Sequence, residues 1–193
     1  MAEDRLGRAQ VSLGPLHIEE GIRSYRAALE VATRETMPEL WGATLRDLAA
    51  ALVDIGSRES GTDHIVEAID DLRASLEVQT RERRPHYWAI TQVRLGDALL
   101  LLGKRETGTA HLTEAVATYG AALQERTRDR GLRDWAASFG NQGIALSLIA
   151  DRNKDAASAE TALRQIEAAQ EIAPHFGTAL TEARAIRDRL KGQ

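Results

Sequence analysis

A chain of 193 residues, 43% hydrophobic and 28% charged, is long enough to bury a sizeable core and too apolar to stay unfolded. It has no cysteine, which excludes disulfides, thiolate metal sites and cysteine nucleophiles and fits a reducing cytoplasm. Its net charge of −4 mixes both signs along every segment, so neither a basic stripe for nucleic acid nor a basic amphipathic helix for an anionic membrane is visible.

The opening residues, Met1 to Arg5, are charged and lead into no long apolar run, so no secretory leader is expected. Ile18, Gly21, Ile22, Tyr25 and Leu29 then fall on one helical face. Thr33-Arg34-Glu35 and Pro38 follow, and Pro38 suits the first turn of a new helix, where a missing N–H costs little. Trp41, Leu48, Leu52 and Ile55 stripe that helix, and Gly56 is expected at its C-terminal cap. Thr62 is the expected N-cap of the next helix, whose apolar face is Ile65, Ala68, Ile69, Leu72 and Leu76.

The same order then returns. Thr80-Arg81-Glu82, Pro85, Trp88, Leu95, Leu99, Leu102, Gly103 and Thr109 repeat it, and Leu112, Ala115, Val116, Tyr119 and Leu123 complete it. Thr127-Arg128-Asp129, Trp135, Phe139, Leu146 and Ile149 open a third round, continued by Ala162, Leu163, Ile166 and Ala169. Trp41, Trp88 and Trp135 are spaced by 47 residues throughout. Such a period marks a supersecondary unit of two helices, each predicted at ~18–22 residues, that buries its apolar face against its neighbours. The third round departs from the pattern. Gln142 stands where Leu48 and Leu95 stand, and Ala150-Asp151-Arg152-Asn153 loses the Gly-x-Arg-Glu turn. Residues 174–193 are predicted to form a capping helix.

Most polar features carry a structural explanation. His17, His64 and His111 share one phase, but equivalent positions in stacked units lie on the order of 10 Å apart, too far to meet on one metal. Gly96 to Lys104 does not have phosphate-loop spacing. The Thr-Arg-Glu clusters and the Arg58-Glu59 and Arg105-Glu106 pairs are expected to link successive units, and the tryptophans to wedge between them.

Leu95-Gly96-Asp97-Ala98-Leu99, Leu102-Gly103, Ala115-Val116, Tyr119 and Ala122-Leu123 resemble a tetratricopeptide repeat, lengthened to 47 residues as in long bacterial arrays. The resemblance covers roughly residues 14–174. It implies an all-α protein: a right-handed α-solenoid of antiparallel helix pairs with about eight helices. The units would be a half repeat at 14–37, repeats at 38–84, 85–131 and 132–173, and a cap at 174–193, all in one domain.

The resemblance also implies a concave groove lined by the first helix of each pair. The family's groove positions fall on Ala43, Arg46, Asp47 and Ala50, then on Ile90, Val93, Arg94 and Asp97, then on Ala137, Gly140, Asn141 and Ile144. Of these, Arg46, Asp47, Ile90, Val93, Arg94, Asp97, Asn141 and Ile144 are the expected contacts for a protein or peptide partner. The function implied is a non-catalytic cytoplasmic adapter, with no cofactor and no metal. The second reading is a homodimer through an open Ile18, Ile22, Tyr25 and Leu29 stripe. No converging acid, base and nucleophile supports an enzyme.

Overall fold

The computed structural model describes residues 15–192, so Met1 to Gly14, whose charged start argued against a secretory leader, lie outside the described residues. The described chain is helical, with no strand. Its helices are α1 (Pro15–Val31), α2 (Pro38–Arg58), α3 (Asp63–Val78), α4 (Pro85–Arg105), α5 (Ala110–Leu123), α6 (Leu132–Asn153), α7 (Ala156–Gln170) and α8 (Gly177–Lys191). A short 3-10 helix, Pro174–Phe176, precedes α8. No helix among the described residues is long and apolar enough to cross a membrane.

Each helix packs on its neighbours in the chain, and α2 also touches α4, α4 touches α6, and α6 touches α8. Within a pair the helices run antiparallel. The start of α2 meets the end of α3 at Gly42 and Val78, and its end meets the start of α3 at Gly56 and Ile65. One buried cluster runs from Ile18 and Ile22 through Leu52, Leu72 and Leu99 to Tyr119 and Ala145. A second joins α6, α7 and α8 through Ala136, Leu163, Ile166, Phe176 and Ala183.

Pro38 and Pro85 open α2 and α4 as expected, each after a residue held out of the helical region. The glycines behave differently from expectation. Gly56 and Gly103 lie inside their helices, which continue to Arg58 and Arg105. A Cβ at Gly56 would stand 2.8 Å from the Ile65 side chain, and one at Gly103 would stand 2.7 Å from Leu112. Close helix approach, and not a left-handed cap, therefore calls for glycine there. Thr62 and Thr109 occupy the cap positions of α3 and α5 but make no side-chain cap bond. Asp155 does cap α7, accepting from the backbone N–H groups of Ala157 and Ser158.

The second helices are shorter than predicted, at 17, 16, 14 and 15 residues for α1, α3, α5 and α7. The threonine clusters leave the helix and close a turn instead. Met37 N–H donates to Thr33 O at 2.9 Å, Arg84 N–H to Thr80 O at 2.9 Å, and Gly131 N–H to Thr127 O at 3.0 Å.

Arginines tie the units together. Arg26 pairs with Glu67 and Arg73 with Glu114, one period on. These exposed pairs contribute ~0–1 kcal/mol each. Arg105 reaches back to the carbonyls of Gly56 and Gly61, and Arg152 makes the same two bonds to Gly103 and Gly108. The third unit thus keeps the arginine link even though its turn sequence changed. The turn itself is rebuilt around Lys154, whose φ of 58° is left-handed. Gln142, in a leucine position, donates to Val116 O at 2.9 Å and accepts from Gln165 at 2.7 Å. Its amide is therefore satisfied where an unpaired one would destabilise the packing.

The α1 stripe is covered in part. Ile18 and Ile22 are buried, and Tyr25 and Leu29 pack on the same cluster. The histidines do not converge either: His64 bonds Glu59 and His111 bonds Glu106, each at 2.7 Å. The tryptophans are half-buried and not central to the core. The guanidinium of Arg81 lies 5.5 Å from the Trp88 ring, and that of Arg128 lies 4.3 Å from Trp135.

Asp71 on α3 is a carboxylate that its surroundings strongly disfavour in the charged form. One of its oxygens is buried without a hydrogen bond. Burial first, then the charge of Glu67, raises its pKa to about 7, with Arg26 opposing and Asp70 adding to the rise. A pKa raised in the fold means stability that is complete below the unfolded value and lost as pH rises toward 7. Asp71→Asn is therefore expected to match wild type near pH 4. By pH 8 it should be more stable by about 1–2 kcal/mol, a figure reduced for the partial exposure of the group. Urea denaturation across that range checks this, and an equal gain at every pH would disprove it.

Candidate functional site

The first helices of successive pairs lie side by side, so the seam between α2 and α4 presents one side-chain row from each. On α2 the row is Ala43, Arg46, Asp47, Ala50 and Val53, and on α4 it is Tyr87, Ile90, Arg94 and Asp97. Spacings of three and four keep each row on one face.

Two recesses open along this seam. The wider, about 300 Å³, is lined by Glu39, Leu40, Ala43, Arg46, Gln79, Arg84 and Tyr87. Arg46 is its buried cation, at 8% exposure. Its Nε donates to Asp47 at 3.2 Å and its Nη1 to Gln79 at 3.4 Å. The guanidinium also lies 5.4 Å from the Tyr87 ring, with Arg84 6.0 Å from that ring. Three contacts hold Arg46 in one pose and make it a preorganised donor. Leu40 and Tyr87, one period apart, are among the exposed large apolar residues, at 53% and 43%.

The narrower recess, about 140 Å³, is lined by Ala49, Ala50, Val53, Leu72, Arg94 and Asp97. Its floor is apolar and both polar groups come from α4. Asp97 Oδ1 accepts from Tyr119 Oη at 2.6 Å and from Asn141 Nδ2 at 3.0 Å, joining α4, α5 and α6. Burial pushes the Asp97 carboxyl above its usual range, against the two donors and the charges of Arg126 and Arg94. Burial, and then the charge of Asp97, pushes the Tyr119 phenol well above its usual value. Tyr119 thus remains the proton donor of the pair.

The structure sorts the eight expected contacts into groups. Arg46 and Asp47 bond each other at the wide recess, and Arg94 and Asp97 line the narrow one. Asn141 is used internally, to hold Asp97. Val93 and Ile144 are half-buried and pack on the core, while Ile90 is half-buried in the α4 row. In the third unit the Phe176 ring sits where a side chain at Gly140, one of the groove positions, would be. Tyr87, Gln79, Val53 and Leu72 were not among the expected contacts. The shared phase of Leu40 and Tyr87 was the available signal for Tyr87. Leu72 comes from α3 and Gln79 from the residue that caps its end, and the approach of both to the seam depends on packing.

Among the described residues no cluster of three or more histidine, aspartate or glutamate side chains is placed to hold a metal. Comparison with protein-family models, with curated proteins and with solved structures found no match to this chain.

Proposed function

We propose that the chain is a tetratricopeptide-like right-handed superhelix that works as a non-catalytic adapter, taking a segment of a partner protein along the α2/α4 seam. The observation that carries this reading is the seam itself. A preorganised arginine, an exposed tyrosine and an apolar recess rimmed by a second arginine lie along one face. Such a face offers apolar burial with a few placed polar groups, as segment-binding grooves do. The 47-residue equivalence of the pairs, with first helix beside first helix, supports the superhelix.

Affinity capture from native extract tests it, with wild type beside an Arg46→Glu/Arg94→Glu variant. Wild type is expected to retain a partner that the variant loses at least tenfold, about 1.4 kcal/mol or more. Equal retention by both would remove the seam as the binding face.

A further inference from the structure

The narrow recess has a filled counterpart one period on. Its lining residues Ala49, Ala50, Val53, Leu72, Arg94 and Asp97 correspond, 47 residues later, to Gly96, Asp97, Leu100, Tyr119, Asn141 and Ile144. There the phenol of Tyr119 occupies the space. Its ring lies 2.7–2.9 Å from where a Cβ on Gly96 would stand, and its hydroxyl donates to Asp97. Tyr119 is fully buried. In the α2/α4 recess Leu72 stands at the tyrosine's position and Ala49 at the glycine's, and an open recess of about 140 Å³ lies against these smaller side chains. Cavities of roughly 150 Å³ admit a benzene-sized ring.

The polar rim also matches a phenol. Both donors to Asp97 end on Oδ1, Oδ2 has no hydrogen-bond partner among the described residues, and Asp97 lines the recess. Arg94 lines the mouth and makes no ion pair or side-chain hydrogen bond among the described residues. A phenol can donate to the first and accept from the second.

We propose that this recess is a socket for one tyrosine side chain, supplied in trans by a partner segment, in the way that Tyr119 fills the equivalent space in cis. The ring would lie on Ala49, Ala50, Val53 and Leu72, with its hydroxyl at Asp97 and Arg94. This rests on the seam being the binding face, and it names what the seam selects.

The probe is p-cresol, the side chain of tyrosine, titrated into the full chain and followed by methyl and amide NMR. Saturable shifts are expected at Ala49, Ala50, Val53 and Leu72, with a Kd on the order of 1 mM. Toluene should bind about threefold more weakly for want of the hydroxyl. Two variants close the socket: Ala49→Gly/Leu72→Tyr, which imports the arrangement of the next unit, and Ala50→Leu, which narrows the mouth. Either one, once circular dichroism shows it folded, should lose the shifts. Shifts absent from these residues at saturating probe, or unchanged in both variants, would overturn the socket, and toluene binding as tightly as p-cresol would overturn its rim. In the capture experiment, a partner kept by Ala50→Leu but lost by Arg46→Glu/Arg94→Glu would overturn the socket while leaving the seam standing.

Discussion

Tyr119→Ala is expected to cost about 4 kcal/mol, the largest loss from truncating any single core side chain among the described residues. Tyr119 is the bulkiest of the fully buried side chains, and its ring faces the bare backbone of Gly96. Truncation leaves a cavity that the helices cannot close, because Leu95 and Leu99 on either side of Gly96 are themselves packed. It also removes one of two donors from a buried carboxylate. Tyr119→Phe keeps the ring and loses only the donor, so it should cost about 1–2 kcal/mol. The difference between the two variants in urea midpoint separates packing from hydrogen bonding. A Tyr119→Ala loss below about 1 kcal/mol would mean that the space between α4 and α5 collapses freely, contrary to the close packing described above.

Gly140→Leu is expected to detach the C-terminal cap. The Phe176 ring occupies the volume of a Cβ at Gly140, and the ring cannot retreat, being enclosed by Ala136, Leu163, Ile166 and Ala183. A leucine side chain must therefore displace the 3-10 segment and α8 with it. The cost should be about 2–3 kcal/mol, at the upper end of overpacking. Hydrogen exchange gives the sharper readout. Amides of α8 should lose protection while those of α2 to α5 keep theirs, because the two buried clusters divide near α6. Unchanged protection in α8 would show that the ring is not what docks the cap. The periodic equivalents of Gly140 are Val93 and Arg46, both large, so the glycine is specific to the unit that receives Phe176.

These effects rest on features that were unevenly legible in the sequence. The helical content, the helix starts at Pro38 and Pro85 and the buried stripes followed from spacing, because burial on one face imposes a 3.6-residue period. The positions of Arg46, Arg94 and Asp97 on one seam followed from the family resemblance and the period together. Two local readings, Gly56 and Gly103 as helix caps, failed for a reason that also governs Gly140. Gly56, Gly103 and Gly140 answer to side chains from other helices, and nothing in their own neighbourhoods announces Ile65, Leu112 or Phe176. The early ends of α1, α3 and α5 have a local cause, since the turns closed on Thr33, Thr80 and Thr127 take up the residues that follow.

The 47-residue recurrence determined by itself that the chain is built of equivalent helix pairs, since only repeated burial of one face in one environment keeps apolar residues in phase over such distances. Tertiary structure decided which equivalent positions are filled and which are open. Leu72 and Tyr119 share a phase and differ in volume. Whether that difference leaves a recess depends on how closely the facing backbones approach, which is set by side chains far away in the chain.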